Sequence, residues 1–243
     1  MRYNTCMNIA TWKFLPHSLK RRLLQAIRYQ IQPFVYVALG DSTAEGMGAS
    51  TPQRSYTNIV FESLKDRYKQ AKYLNVARSG AILKDVLQSQ MPKAIEAKPS
   101  LITLSIGAND IIRRTKLDEF EGDLRELLTS LRQKTDATIL ISTVPDLSLT
   151  PAVPKLLKTY SKYKAGKLNQ IIYKVGEETS TVTVDLFEDS RAVLKMFPEA
   201  IASDGWHPSD FGYALWANTI LVMLRNVLAP VSEKELPHEE NMS

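Results

Sequence analysis

Cysteine is all but missing from this 243-residue chain: Cys6 stands alone, so no intramolecular disulfide framework can form. Histidine is nearly as scarce. With only His17, His207 and His238 beside one thiol, a Cys/His zinc site is not expected, and neither a metal nor an organic cofactor is expected. Ten glycines, without a repeat, exclude a collagen-like chain. The glycines present also avoid the usual motifs. There is no Gly-x-Ser-x-Gly elbow, Gly46-Met47-Gly48 lacks the third glycine of a dinucleotide fingerprint, and no Gly-Lys-Ser/Thr phosphate loop occurs. Ser161–Lys164 fits Ser-x-x-Lys but has no companion motif. Long apolar runs are missing too. The most apolar stretch, Ser209–Leu228, is interrupted by Asn218, Thr219, Arg225 and Asn226, and neither half reaches the roughly 20 residues a bilayer requires. It reads as a buried core helix.

What is present has the balance of a water-soluble globular chain, 44% hydrophobic and 23% charged, with length for one large domain. The net charge of +5 is uneven. Residues 1–32 hold Arg2, Lys13, Lys20, Arg21, Arg22 and Arg28 and no acid, which leaves 25 basic against 26 acidic residues elsewhere. A global footprint for nucleic acid is therefore absent. From Ser18, Leu19, Leu23, Leu24, Ile27 and Ile31 share one helical face with Arg21, Arg22 and Arg28 off it. Three readings stay open for 18–31: an amphipathic helix packed on the domain, a peripheral contact with anionic membrane, or a disordered segment. The basic cluster follows Trp12, Phe14 and Leu15 instead of leading an apolar stretch, so no secretory signal is read and a cytoplasmic location is expected. At the other end, Glu233, Glu235, Glu239 and Glu240 mark an acidic flexible tail. The organisation expected is an extension over 1–32, one domain over 33–230, and a tail over 231–243.

Within the domain, short apolar runs at Phe34–Leu39, Tyr73–Val76, Leu101–Ile106, Thr138–Ile141 and Val182–Leu186 suit strands buried on both faces. Segments of helical spacing lie between them. One carries Leu117, Phe120, Leu124, Leu127, Leu128 and Leu131; another, in 155–178, offers Leu157, Tyr160, Leu168, Ile171, Ile172 and Val175 with lysines outward. This alternation predicts an α/β fold, a three-layer α/β/α sandwich around a five-stranded parallel sheet. Ligands of such sheets sit beyond the carboxyl ends of the strands, near the switch in strand order.

Four polar blocks fall at those ends: Gly40-Asp41-Ser42-Thr43, Asn75-Val76-Ala77-Arg78-Ser79-Gly80, Gly107-Ala108-Asn109-Asp110 and Asp204-Gly205-Trp206-His207-Pro208. Each alone could be a turn or a helix cap. Together and in this order they resemble the block pattern of the SGNH hydrolases, the GDSL esterase/lipase family, from about Phe34 to Leu228. The resemblance implies that family's flavodoxin-like topology and a serine ester hydrolase working through an acyl-enzyme on a small-molecule carboxylic ester, with lipid and short-chain acyl esters both open. It implies Ser42 as nucleophile, His207 as base and Asp204 as its partner, with an oxyanion hole from the backbone N–H groups of Ser42 and Gly80 and the amide of Asn109. Thr43 stands where the family usually has leucine.

The chemistry is consistent with those residue types. Ester hydrolysis needs an activated nucleophile, a base and donors aimed at the oxyanion. His207 is the one imidazole between residues 18 and 237, and Asp204 is close enough along the chain to reach its second nitrogen through a tight turn. Ser42 is expected at a helix start whose dipole favours negative charge, and Pro208 is expected to start the last helix. Asp41 and Asp110 read as supporting, loop-fixing residues. Pro145, Leu147, Leu149, Pro151, Val153 and Pro154 form either an apolar rim for an acyl chain or a plain connection. A monomer without nucleic-acid partners is expected. An acyltransferase or thioesterase using the same acyl-enzyme, or a binding module that keeps the fold, are the alternatives.

Overall fold

A computed structural model describes residues 33–68 and 70–228, together with Pro16 and Lys20. The amphipathic segment expected at 18–31 and the tail at 231–243 lie outside the described residues. Five strands form one parallel sheet: β1 (Val35–Gly40), β2 (Lys72–Asn75), β3 (Leu101–Ser105), β4 (Thr138–Ser142) and β5 (Val182–Val184), in the order β2-β1-β3-β4-β5. This is the flavodoxin-like order, in which the chain leaves β1 first to one side and then to the other. Each expected run became a strand within one or two residues of its ends. Every residue of β3 and β4 is buried, as continuous apolar runs under helices on both faces require.

Alternation divides the core in two. Val37, Leu39, Ile102, Leu104, Ile139 and Ile141 face one layer, while Tyr36, Ala38, Leu101, Leu140 and Val184 face the other. The first layer holds α3 (Leu83–Asp85), a π-helical turn (Val86–Gln90), α4 (Met91–Glu96), α5 (Ala108–Ile112), α6 (Leu117–Lys134) and α7 (Lys155–Glu178). In α6 the leucine stripe is buried as its spacing requires, with Asp118 and Glu119 in the first turn and Arg132 and Lys134 in the last complementing the dipole. The second layer holds α1 (Ser42–Glu45), α2 (Tyr56–Arg67) and α9 (Asp210–Val227), with α8 (Phe187–Met196) at the carboxyl edge. Tyr56 of α2 stacks on Trp216 of α9 with ring centroids 5.0 Å apart.

Three readings need correction. In α7, Leu168, Ile171, Ile172 and Val175 are buried, but Leu157 and Tyr160 are exposed, because the buried face of this helix begins only at Ser161. The helix at the carboxyl end is not buried all round: Tyr213, Trp216, Ala217, Ile220 and Leu224 face the core, while Phe211 and Val222 face outward. Nor does Pro208 start that helix. Ser209 is its N-cap, accepting from the Gly212 N–H at 3.3 Å, and Pro208 pairs with Ile201 in an antiparallel bridge. Among the described residues no helix is long and apolar enough to cross a membrane.

One clamp at the end of β1 had no counterpart in the sequence reading. The buried side chain of Gln90 accepts from the Gly40 N–H through Oε1 and donates to the Gly40 carbonyl through Nε2, both at 2.8 Å. It projects from the π-helical turn, an irregularity that recurs at functional sites. Replacing it by the similarly sized leucine strands the buried Gly40 N–H, since the carbonyl keeps the Arg78 N–H at 3.1 Å. Gln90→Leu should therefore cost about 1–3 kcal/mol, read as a lower denaturant midpoint at unchanged slope.

Candidate active site

All four polar blocks converge at the carboxyl edge around the β1/β3 switch point. The Asp41 N–H donates to the Ser105 carbonyl at 3.1 Å, carrying the β1–β3 pairing one residue past the strand. Asp41 then caps α1: its Oδ1 accepts from the Thr43 N–H at 3.0 Å and the Thr43 hydroxyl at 2.8 Å. A threonine in the leucine position thus supplies a second donor to the cap and also meets the Ser105 hydroxyl at 3.0 Å. Ser42 opens the helix, with 9% of its surface exposed. α1 spans only four residues, so the dipole contribution expected at Ser42 is that of a single turn.

His207 lies 165 residues away in sequence, yet its Nε2 is 2.9 Å from Ser42 Oγ. Its Nδ1 is 2.6 Å from Asp204 Oδ2. The other carboxylate oxygen, Oδ1, accepts from the Trp206 and His207 N–H groups at 2.8 and 3.0 Å, so Asp204 holds both its own turn and the ring. With Nδ1–H donated to the carboxylate, the Nε2 lone pair faces the serine hydroxyl. Partial burial works to raise the Asp204 carboxyl, but the His207 ring and the two backbone donors outweigh it and hold it below the ordinary aspartate value. The turn is closed at its base by Ala202 N–H to His207 O (2.8 Å) and Ser209 N–H to Ala200 O (2.9 Å).

Among the described residues, the N–H groups of Ser42 and Gly80 make no hydrogen bond. The Asn109 amide donates one of its two N–H bonds to the Ala81 carbonyl at 3.0 Å, leaving the other. Gly80 sits at φ +76°, a conformation that favours glycine, and a Cβ there would meet nothing nearer than Arg113 at 3.8 Å, so the approach to its N–H is open. Its loop is tied beside Ser42 in three places. Arg78 N–H donates to Gly40 O at 3.1 Å, Ser79 donates N–H (2.6 Å) and hydroxyl to the Glu45 carboxylate, and the Arg113 guanidinium donates to Gly80 O at 2.9 Å. Glu45 and Arg113 were missed by the sequence reading. Their spacing, one helical turn beyond Ser42 and Asn109, was the available clue.

Two buried carboxylates stand behind this arrangement. Asp110 accepts from the Leu83 N–H at 3.1 Å, anchoring the start of α3. Burial pushes it up to about 6, with the Asp41 charge adding to the rise and the Leu83 N–H and Thr115 hydroxyl opposing it. Asp41 is likewise pushed up to about 6 by burial, against the Thr43 donors and the charge of a protonated His207. Among the described residues no group of three or more His, Cys, Asp or Glu could hold a metal ion.

Residues 38–215 match the GDSL-like lipase/acylhydrolase family. The chain is 26% identical over 207 residues to a GDSL-like esterase of Mycobacterium tuberculosis, covering 84% of this chain and 65% of that relative's length. It is 26% identical over 161 residues to an acetylxylan esterase of Geobacillus stearothermophilus, covering 62% and 70%. Among solved structures, a catalytic mutant of an acetylxylan esterase from Geobacillus stearothermophilus matches with a TM-score of 0.65 at 22% identity over 80% of this chain and 94% of that one. TesA matches with a TM-score of 0.66 at 18% identity over 80% and 99%. These two structural likenesses share the five-stranded α/β/α fold.

The buried carboxylates give the fold a pH signature. A carboxyl at about 6 when folded and about 3.9 when unfolded stabilises the fold below about pH 4, and that contribution is lost as pH rises through 6. Asp110→Asn has no such loss. Its stability relative to wild type should rise by about 2–3 kcal/mol between pH 4 and pH 7, measured by denaturation at both values; a difference independent of pH would contradict the assignment.

Proposed function

The chain belongs to the GDSL-like lipase/acylhydrolase family, and on that premise we propose that it is a serine esterase with Ser42, His207 and Asp204 as its catalytic residues. The observation that carries the reading is the unbroken hydrogen-bond line from Asp204 through His207 to Ser42, at 2.6 and 2.9 Å. Ser42 Oγ attacks the ester carbonyl carbon while His207 Nε2 takes its proton. The oxyanion so formed faces the Ser42 N–H, the Gly80 N–H and the remaining Asn109 N–H. Collapse of the tetrahedral intermediate breaks the ester C–O bond, and His207 returns the proton to the leaving alcohol. Water then gives its proton to His207 and attacks the acyl-enzyme, releasing the acid and restoring Ser42. Asp204, held as a carboxylate, orients the ring and stabilises the imidazolium.

The acyl group of this reading is apolar and longer than acetyl. A cavity of about 270 Å³ lies beside the site: Asp41 and Thr43, the chain neighbours of Ser42, and Trp206 and Pro208, those of His207, line it, while Ser42 and His207 themselves do not. Ile106, Leu147, Leu186, Val193, Leu215 and Trp216 make its interior largely apolar. A dry cavity of about 150 Å³ already holds benzene, so this one has room for a chain of several methylenes. Pro145 and Leu147 line it while Val153 packs into the core, which splits the 145–154 segment between rim and connection.

A p-nitrophenyl ester panel from acetate to palmitate, run on wild type and variants, tests both levels. Ser42→Ala should lose at least about 1,000-fold in kcat/KM, and Asn109→Ala about 100- to 1,000-fold in kcat; wild-type rates in the alanine variant at 42 would end the esterase reading. The half-buried Val193 replaced by tryptophan should shift the optimum towards shorter chains while leaving acetate hydrolysis near wild type. An optimum at acetate in wild type would instead favour deacetylation, and ester products formed from added alcohols would favour acyl transfer.

A further inference from the structure

The outward face of α7 carries an arrangement that ester hydrolysis does not use. The helix buries Ser161, Ala165, Leu168, Ile172 and Val175 against the domain. Its opposite face is not polar. Leu156 is 95% exposed, Tyr163 62% and Tyr160 38%, and their spacing of four and then three residues sets them in one line along the helix. Exposed apolar residues are ordinary when scattered. A line of them facing solvent, on a helix whose inner side is already packed, is not.

That line is set among cations. No Asp or Glu occurs between Asp146 and Glu177, while Lys155, Lys158, Lys162, Lys164 and Lys167 all fall in the first thirteen residues of α7. None of these five forms an ion pair among the described residues, and the Lys167 ammonium stands 5.8 Å over the Tyr163 ring. Nearby acids are engaged elsewhere: Glu121 with Lys174 and Arg125, Glu188 with Arg191. Aliphatic tips, tyrosines and lysines each match one depth of a bilayer surface, the acyl boundary, the headgroup level and the anionic charge. A single-stranded nucleic acid would engage the lysines and stack on the tyrosines but leave Leu156 and Leu157 in water.

We propose that this face of α7 docks the protein on an anionic phospholipid surface. The placement is suited to a lipid-facing site. Just ahead of the helix, the Ala152 N–H donates to the carbonyl of Gly205 at 2.9 Å, inside the turn that carries Asp204 and His207. The docking face therefore starts beside the catalytic turn. The proposal goes beyond the esterase reading and does not need it, because binding is read without catalysis.

The test is sedimentation of the full chain with vesicles of phosphatidylcholine alone and of phosphatidylcholine with a minority of phosphatidylglycerol. Wild type should pellet with the anionic vesicles only, and less at high salt. The double variant Leu156→Ser/Tyr163→Ser and the double variant Lys155→Glu/Lys162→Glu should each bind about tenfold more weakly or worse. Both change exposed side chains, so the thermal midpoint and hydrolysis of soluble p-nitrophenyl acetate should match wild type. Absence of wild-type binding, equal binding by the variants, or tighter binding to a single-stranded oligonucleotide that the same variants abolish would overturn the proposal.

Discussion

Everything at the carboxyl edge depends on how the Asp204–His207 turn is pressed against the residues that follow β1. The imidazole reaches Ser42 only because the 46–48 turn runs directly beneath the histidine. At Gly48, φ is +89° and a Cβ would fall 2.7 Å from the His207 Cβ and 2.6 Å from the Pro208 carbonyl oxygen. No side chain fits there. The contact is reinforced from both directions: Tyr213 of α9 donates its hydroxyl to the Met47 carbonyl at 2.6 Å, and the Ser50 N–H and hydroxyl bind the Asp210 carboxylate at 2.8 and 2.6 Å. Helix α9 thus holds the histidine turn and the serine loop as one body, and the 2.9 Å separation follows from packing that lies mostly outside the reacting groups.

That rigidity carries an electrostatic burden. Asp41 and Asp110 are carboxylates kept in the interior by short-range donors, and burial raises both. Their backbone contacts fix the two loops whose N–H groups remain open, that of Ser42 directly and that of Gly80 through α3 and Asn109. Strain of this kind concentrates where a fold must hold polar groups ready instead of satisfying them internally. The N–H groups of Ser42 and Gly80, unpaired among the described residues, are the same trade seen from the other side: backbone donors left without an internal partner.

Much of this was legible in the residues. Buried parallel strands announce themselves as short apolar runs, and the four polar blocks are local, so each could be placed at a strand end before any coordinate existed. What escaped was long-range or ambiguous in period. Gln90 reads as an ordinary helical polar residue, because its two bonds to Gly40 cross 50 positions. Glu45 and Arg113 escaped for the same reason. Helical spacing groups Leu157 and Tyr160 with the inward residues, because it says which residues share a face and not where along the helix that face becomes covered. Pro208 looked like a helix start, yet the bridge to Ile201 took it and left the capping to Ser209.

Charge shows most clearly what a sum conceals. Outside residues 1–32 the chain is nearly neutral, which excludes a global basic footprint for nucleic acid. Neutrality on average is compatible with segregation, and the fold segregates. Glu121 of α6 pairs with Arg125 and with Lys174 in the carboxyl half of α7, and α8 pairs Glu188 with Arg191. Among the described residues, the lysines at the start of α7 have no ion-pair partner, on the same turns that expose Leu156 and Tyr163. Exposed ion pairs contribute little to stability, so their chief effect here is spatial: Glu121 and Glu178 are paired at the carboxyl half of α7, and a cationic, partly apolar face remains at the end next to the histidine turn.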